Sequence, residues 1–124
     1  MEENTLSGII VNAAIEVHRH LGPGLLESVY ENCLLHELKL QGIICERQVY
    51  LLLSYKGEQI GNCYRLDLLV ENLIIVEIKT VSNIEPIHKA QLLTYLKLTN
   101  LKIGLILNFN VPVLKNGICR MING

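Results

Sequence analysis

The sequence predicts an α/β fold in which one mixed sheet is flanked by helices. Three observations predict it. Apolar residues recur at helical spacing through the first third of the chain. The pattern then changes to strand-like runs with turn signals between them. A helical segment followed by a buried strand closes the chain. The 124 residues suit one domain spanning 1–124, and no repeat, low-complexity run or linker divides them.

The first segment, Leu6 to Leu21, sets Leu6, Ile9, Ile10, Ala13, Ala14, Val17 and Leu21 on one helical face, and Gly22-Pro23-Gly24 stops it. A second helix is expected from about Leu25 to Leu40, with Leu26, Val29, Cys33, Leu34 and Leu38 as its apolar stripe. Gly42 then stands where a left-handed cap belongs. Ile43 to Tyr55 reads as a strand, Lys56-Gly57 as a turn, and the following residues to Val70 as a long second strand. After Glu71-Asn72 a third strand runs from Leu73 to Thr80. Pro86 is a favoured first helical residue and opens a helix to about Leu98. Lys102 to Phe109 is a buried strand, and Gly117 to Ile122 a short edge strand. The order is α-α-β-β-β-α-β, with a final β.

Half of the residues are hydrophobic, yet there are only five Tyr, one Phe and no Trp, so the core is expected to be Leu, Ile and Val. No stretch reaches the ~18 apolar residues of a membrane span; the most apolar one, Leu66 to Val76, is broken by Asp67, Glu71 and Asn72. The surplus apolar surface is read as a subunit interface, which makes a homodimer a candidate. A net charge of −1 excludes a general electrostatic nucleic-acid binder. Contact with DNA or RNA then needs a local basic face, a metal ion or a larger protein partner. Cys33, Cys45, Cys63 and Cys119 lack zinc-site spacing and read as small core residues of a reduced, cytoplasmic protein. The start, Met-Glu-Glu-Asn, has no signal-peptide pattern.

In the strand Tyr64 to Val70, alternation sends Leu66, Leu68 and Val70 to one face and Arg65 and Asp67 to the other. In the next strand Ile74, Val76 and Ile78 share a face, and Glu77 and Lys79 the opposite one. A two-residue turn at Glu71-Asn72 would pair Asp67 with Val76. A three-residue loop, Glu71-Asn72-Leu73, pairs Asp67 with Glu77. Carboxylates placed opposite each other repel unless a cation lies between them, and the three-residue loop is the expected register. Mg²⁺ takes oxygen ligands, commonly one or two carboxylates with water and phosphate. Asp67 and Glu77 can supply them, the Ile78 carbonyl can add one, and Lys79 can assist a water. Taken alone, Glu77-Ile78-Lys79 also reads as a solvated strand face with an ion pair.

The segment Gly24-Leu25-Leu26-Glu27-Ser28-Val29-Tyr30 resembles the signature of the small GxxExxY proteins, grouped with the PD-(D/E)XK nucleases. So do Val17 to Gly24, Tyr64 to Val70, Gln91 to Leu96 and Asn108 to Pro112, in the same order. The resemblance covers nearly the whole chain. It implies a restriction-endonuclease-like αβββαβ core. It also implies catalytic roles for Glu27, Asp67, Glu77, Lys79 and Gln91. Asp67, Glu77, Glu27 and the Ile78 carbonyl would bind Mg²⁺ or Mn²⁺, and Gln91, with Tyr95 one turn later, would support Lys79 and the substrate. Leu66 stands where many members have proline.

Other readings of these residues stand beside that one. Glu27 alone suits a first-turn helix acid. Arg65 either contacts a phosphate or neutralises the acids, and Tyr95 is a second candidate substrate contact. His88, Gln91 and Tyr95 share a helix face by spacing. Tyr30 reads as packing, and His18, His20 and His36 as structural or surface residues. Three function classes follow: a metal-dependent phosphodiester hydrolase acting on nucleic acid, a catalytically silent binding or scaffolding module on the same fold, and a hydrolase of nucleotides or other phosphate esters.

Overall fold

The computed structural model describes residues 1–124, apart from the side chains of Asn62 and Cys63. Helix α1 (Glu3–Leu21) begins a turn earlier than its apolar stripe, because the Glu2 carboxylate caps it by accepting from the amides of Asn4 and Thr5. Gly22, at φ 68°, ends it in the left-handed region. Helix α2 (Glu27–Leu40) buries Tyr30, Leu34 and Leu38. That corrects the expected stripe. Leu26 is the extended residue before the helix and is 72% exposed, and Val29 lies off the buried face. Gly42, at φ 74°, follows the helix end as expected.

Tyr30 explains the loop between the helices. Its ring stacks on Phe109 at 4.4 Å. Its hydroxyl donates to the Gly22 carbonyl at 2.6 Å and accepts from the Leu25 amide at 3.1 Å. Tyr30→Phe keeps the ring and strands both backbone groups; it is expected to cost about 1–2 kcal/mol, read as a lower urea midpoint with an unchanged slope.

The strands are β1 (Cys45–Tyr55), β2 (Glu58–Val70), β3 (Ile74–Lys79), β4 (Ile103–Asn108) and β5 (Ile118–Ile122). They form one sheet in the order β1-β2-β3-β4-β5. All neighbours are antiparallel except β3 and β4. A parallel pair needs a crossover, and α3 (Pro86–Thr99) supplies it. The sheet is therefore mixed and sandwiched, with α1 and α2 on one face and α3 on the other. Ile74, Val76, Ile78, Leu105 and Leu107 pack with α1 and α2; Ile75, Ile106, Leu92 and Leu96 form a second core with α3. α3 approaches β4 closely: a Cβ on Gly104 would lie 2.8 Å from Leu92 Cδ1. Gly117 admits no side chain, since its Cβ would meet the Asn108 carbonyl.

Two expectations about β2 have different outcomes. The register pairs Leu68 with Val76 and Val70 with Ile74, leaving the three-residue loop Glu71-Asn72-Leu73 and bringing Asp67 level with Glu77. Glu71 and Asn72 are both left-handed, at φ 52° and 54°, and the Leu73 amide closes the turn on the Val70 carbonyl. The shared apolar face is corrected. Leu68 and Val70 join the core with α1 and α2, whereas Leu66 packs with α3.

The cysteines are less buried than expected. Cys33, Cys45 and Cys119 are half-buried at the core margins, and the Cys63 side chain lies outside the described residues. Among the described residues no helix is long and apolar enough to cross a membrane.

Candidate functional site

β2 and β3 part beyond the Leu68–Val76 pair, and the fork holds two carboxylates. Each reaches across to the other strand. The Asp67 amide donates to Glu77 Oε2 at 3.0 Å, and the Ile78 amide donates to Asp67 Oδ2 at 2.8 Å. Glu77 is 5% exposed. Burial raises the pKa of Asp67; Glu31 and Glu27 raise it further, against the Ile78 amide and Lys79. Burial also raises that of Glu77, followed by the charge of Asp67, with Lys79 opposing. Negative charge at the fork is thus under-compensated.

A cleft of about 480 Å³ opens at this point, lined by Glu27, Ser28, Glu31, Arg47, Gln48, Arg65, Asp67 and Ile78. Glu27, in the first turn of α2, is exposed, and its Oε2 lies 3.4 Å from Thr80 Oγ1, just past the end of β3. Arg65 is exposed on the cleft wall, 5.9 Å from the centre of the Tyr50 ring. Lys79 ends β3 beside Glu77 and lowers the pKa of both acids.

Gln91 is not in this cleft. It lines another of about 440 Å³ on the α3 side, with Tyr64, His88 and Tyr95. Tyr95 is buried, its ring 5.6 Å from that of Tyr64. Its hydroxyl pKa is pushed up to about 12 by burial and then by the charges of Glu77 and Asp67. The acids are therefore felt from both faces of the sheet. His88 lines the same cleft as Gln91 and Tyr95, as the shared helix face predicts, and it also caps α3, its Nδ1 accepting from the Glu85 amide. His18 is structural, bonded through Nε2 to the Val111 carbonyl.

Sequence reasoning missed Glu31, Arg47 and Gln48. Glu31 is 4% exposed. Its carboxylate accepts from Arg47 Nε at 3.1 Å, Arg47 Nη2 at 2.7 Å and Gln48 Nε2 at 2.5 Å. Its position four residues after Glu27, on the same helix face, was the available signal. Arg47 and Gln48 lie inside β1 and carried none.

The far end of β3 is tied down. The Phe109 amide donates to the Lys79 carbonyl at 3.0 Å. The Asn108 side chain, 2% exposed, accepts from the Val81 amide at 3.1 Å and donates to the Val81 carbonyl at 2.8 Å.

Among the described residues no three His, Cys, Asp or Glu side chains are gathered to hold an ion by themselves. Glu27, Asp67 and Glu77 are therefore not gathered into one such group, although Glu27 and Asp67 line the same cleft. The donors at the fork nonetheless fit a hard divalent cation, which takes few carboxylates and completes its shell with water and phosphate. Two adjacent carboxylates lack compensating charge, and a buried amide oxygen, Gln48 Oε1, has no partner in the cleft wall. A model of the PD-(D/E)XK nuclease superfamily matches residues 4–121. A search of the curated proteins found no match.

Proposed function

We propose, from the premise that the chain belongs to the PD-(D/E)XK nuclease superfamily, that it is a divalent-metal-dependent hydrolase of nucleic-acid phosphodiester bonds. The observation that carries this reading is the fork, where Asp67 stands level with Glu77 and Lys79 follows on the same strand. Asp67 and Glu77 would hold Mg²⁺ or Mn²⁺, with the Ile78 carbonyl and Glu27 as further oxygen donors. The cation, when bound, polarises the phosphodiester and lowers the pKa of water. Lys79 orients the attacking water, takes its proton or stabilises charge at phosphorus. Arg65, on the cleft wall, contacts a phosphate oxygen. Gln91 and Tyr95 act from the α3 side, supporting Lys79 and the strand that carries the acids. The segment Gly24 to Tyr30 supports a place in the GxxExxY branch, with Tyr30 holding the loop and Glu27 facing the cleft. A reducing cytoplasm suits the free thiols of Cys33, Cys45 and Cys119.

The test is incubation of the full chain with Mn²⁺ or Mg²⁺ and end-labelled single- and double-stranded DNA and RNA, alongside calorimetric titration of the metals. Metal-dependent fragments that a chelator suppresses are expected. Absence of both cleavage and metal binding would sink the reading. One observation favours a binding module instead. The β1–β2 hairpin exposes Tyr50, Leu52, Tyr55 and Ile60, a surface suited to a second copy or a larger partner. Sedimentation of the same sample separates a dimer from a monomer.

A further inference from the structure

β1 packs in two unlike halves. Cys45 lies against the core with α1 and α2, whereas Val49 and Leu51 lie against the core with α3. β2 changes sides at the same level: Leu68 and Val70 belong to the first core, Leu66 and Tyr64 to the second. A strand that kept its alternation would send Leu66 and Leu68 to one face. The switch has a backbone cause. Gln48 falls between Arg47, paired with Leu68, and Val49, paired with Leu66. Its φ is 55°, a left-handed conformation that non-glycine residues rarely adopt inside a strand. The β2 residue level with it is Asp67.

Gln48 bears two unfavourable features at once. Its backbone is left-handed, and its Oε1 is buried without a hydrogen-bond partner among the described residues. Glu31 holds it there. One buried carboxylate of α2 accepts three hydrogen bonds from the successive residues Arg47 and Gln48. Because a carboxylate accepts, it fixes Nε2 of the amide toward itself and turns Oε1 away. Strain that persists under such an anchor marks a functional constraint, and the only catalytic candidate at this level of β2 is Asp67.

We infer that Gln48 is a positioning residue: its left-handed kink, anchored by Glu31, turns the β1–β2 hairpin so that Asp67 leaves the core alternation and meets Glu77 at the fork. The functional importance of Asp67 rests on the reading proposed above; the kink does not.

The full chain and its Gln48→Gly and Gln48→Val variants test this by amide hydrogen exchange and Mn²⁺ calorimetry. The Asp67 and Ile78 amides report the two carboxylate bonds, and the Leu105 amide, in the centre of the sheet, serves as the reference for global stability. Glycine adopts positive φ freely and valine does not. Gln48→Val is expected to exchange at Ile78 about ten-fold faster relative to Leu105, and to bind Mn²⁺ about ten-fold more weakly. Gln48→Gly is expected to recover both to within about three-fold of wild type. A valine variant within about three-fold of wild type overturns the inference. So does a glycine variant as impaired as valine, since the side chain would then be the acting group. Wild type that binds no Mn²⁺ removes the metal reading, and the exchange rates still decide the kink. If Gln48→Val does not fold, Glu31→Gln replaces it. Exchange at Ile78 about three-fold faster or more is then expected, and an unchanged rate overturns the inference.

Discussion

Glu77→Gln is expected to abolish Mn²⁺ binding and to lower metal-dependent cleavage roughly a thousand-fold, while making the metal-free protein more stable at about pH 8. The two effects have one cause. Glu77 is buried, and the charge of Asp67 faces it across the fork. A glutamine keeps an oxygen that can accept from the Asp67 amide, as Glu77 Oε2 does now. It removes the negative charge that burial penalises and that a cation needs. Without metal, relief of the like-charge contact is expected to add about 1 kcal/mol. Urea unfolding in chelator measures the gain, and calorimetry measures the lost site. A glutamine variant that binds Mn²⁺ like wild type would show that Glu77 is not a ligand.

Metal-free protein is expected to lose about 2 kcal/mol of stability between pH 5 and pH 8, and Mn²⁺ is expected to restore it at the higher pH alone. The sign follows from the raised pKa values of Asp67 and Glu77. Unfolded carboxyls ionise near pH 4. The folded pair ionises later, with Glu77 at about 8. Between those limits the native state binds more protons than the unfolded state, so stability falls as pH rises. A divalent cation bound to the ionised pair would reverse the trend. Thermal melts at both pH values, with Mn²⁺ and with chelator, measure the four states. Equal Mn²⁺ stabilisation at pH 5 and pH 8 would place the bound ion away from this pair.

Much of the molecule was legible because local rules and the global fold agree. The element order followed from periodicity and from Gly22, Gly42 and Pro86 at their expected boundaries. The register at Asp67 and Glu77 followed from the expected shared cation: without one, opposed carboxylates repel, and a three-residue loop is what brings the two acids together. Leu66 was misplaced for a definite reason. Alternation assumes that a strand keeps one twist, and the left-handed Gln48 on the neighbouring strand breaks that assumption at Asp67. Gln48 gives no warning in the sequence, since neither glycine nor asparagine marks the position. Glu31 was hidden differently. A glutamate beside Tyr30 reads as a solvated helix residue, and only the arrival of Arg47 and Gln48 from β1 makes its burial tolerable. Gln91 was identified through the resemblance, yet its separate cleft on the other face of the sheet is a tertiary fact that helix spacing cannot carry.

The Asn108 side chain and the Phe109 amide clamp the chain where it leaves β3. A loop that must become ordered around a ligand charges its conformational entropy against affinity. Here that ordering is completed during folding, because Gly117 lets the Asn108 backbone close up behind it. The end of β3 that carries Lys79 is consequently preorganised, and under the proposed function a phosphate would meet backbone already set rather than backbone it must assemble. Under that reading, selection among ligands would fall to the exposed groups Glu27 and Arg65, held by Thr80 and by the Tyr50 ring.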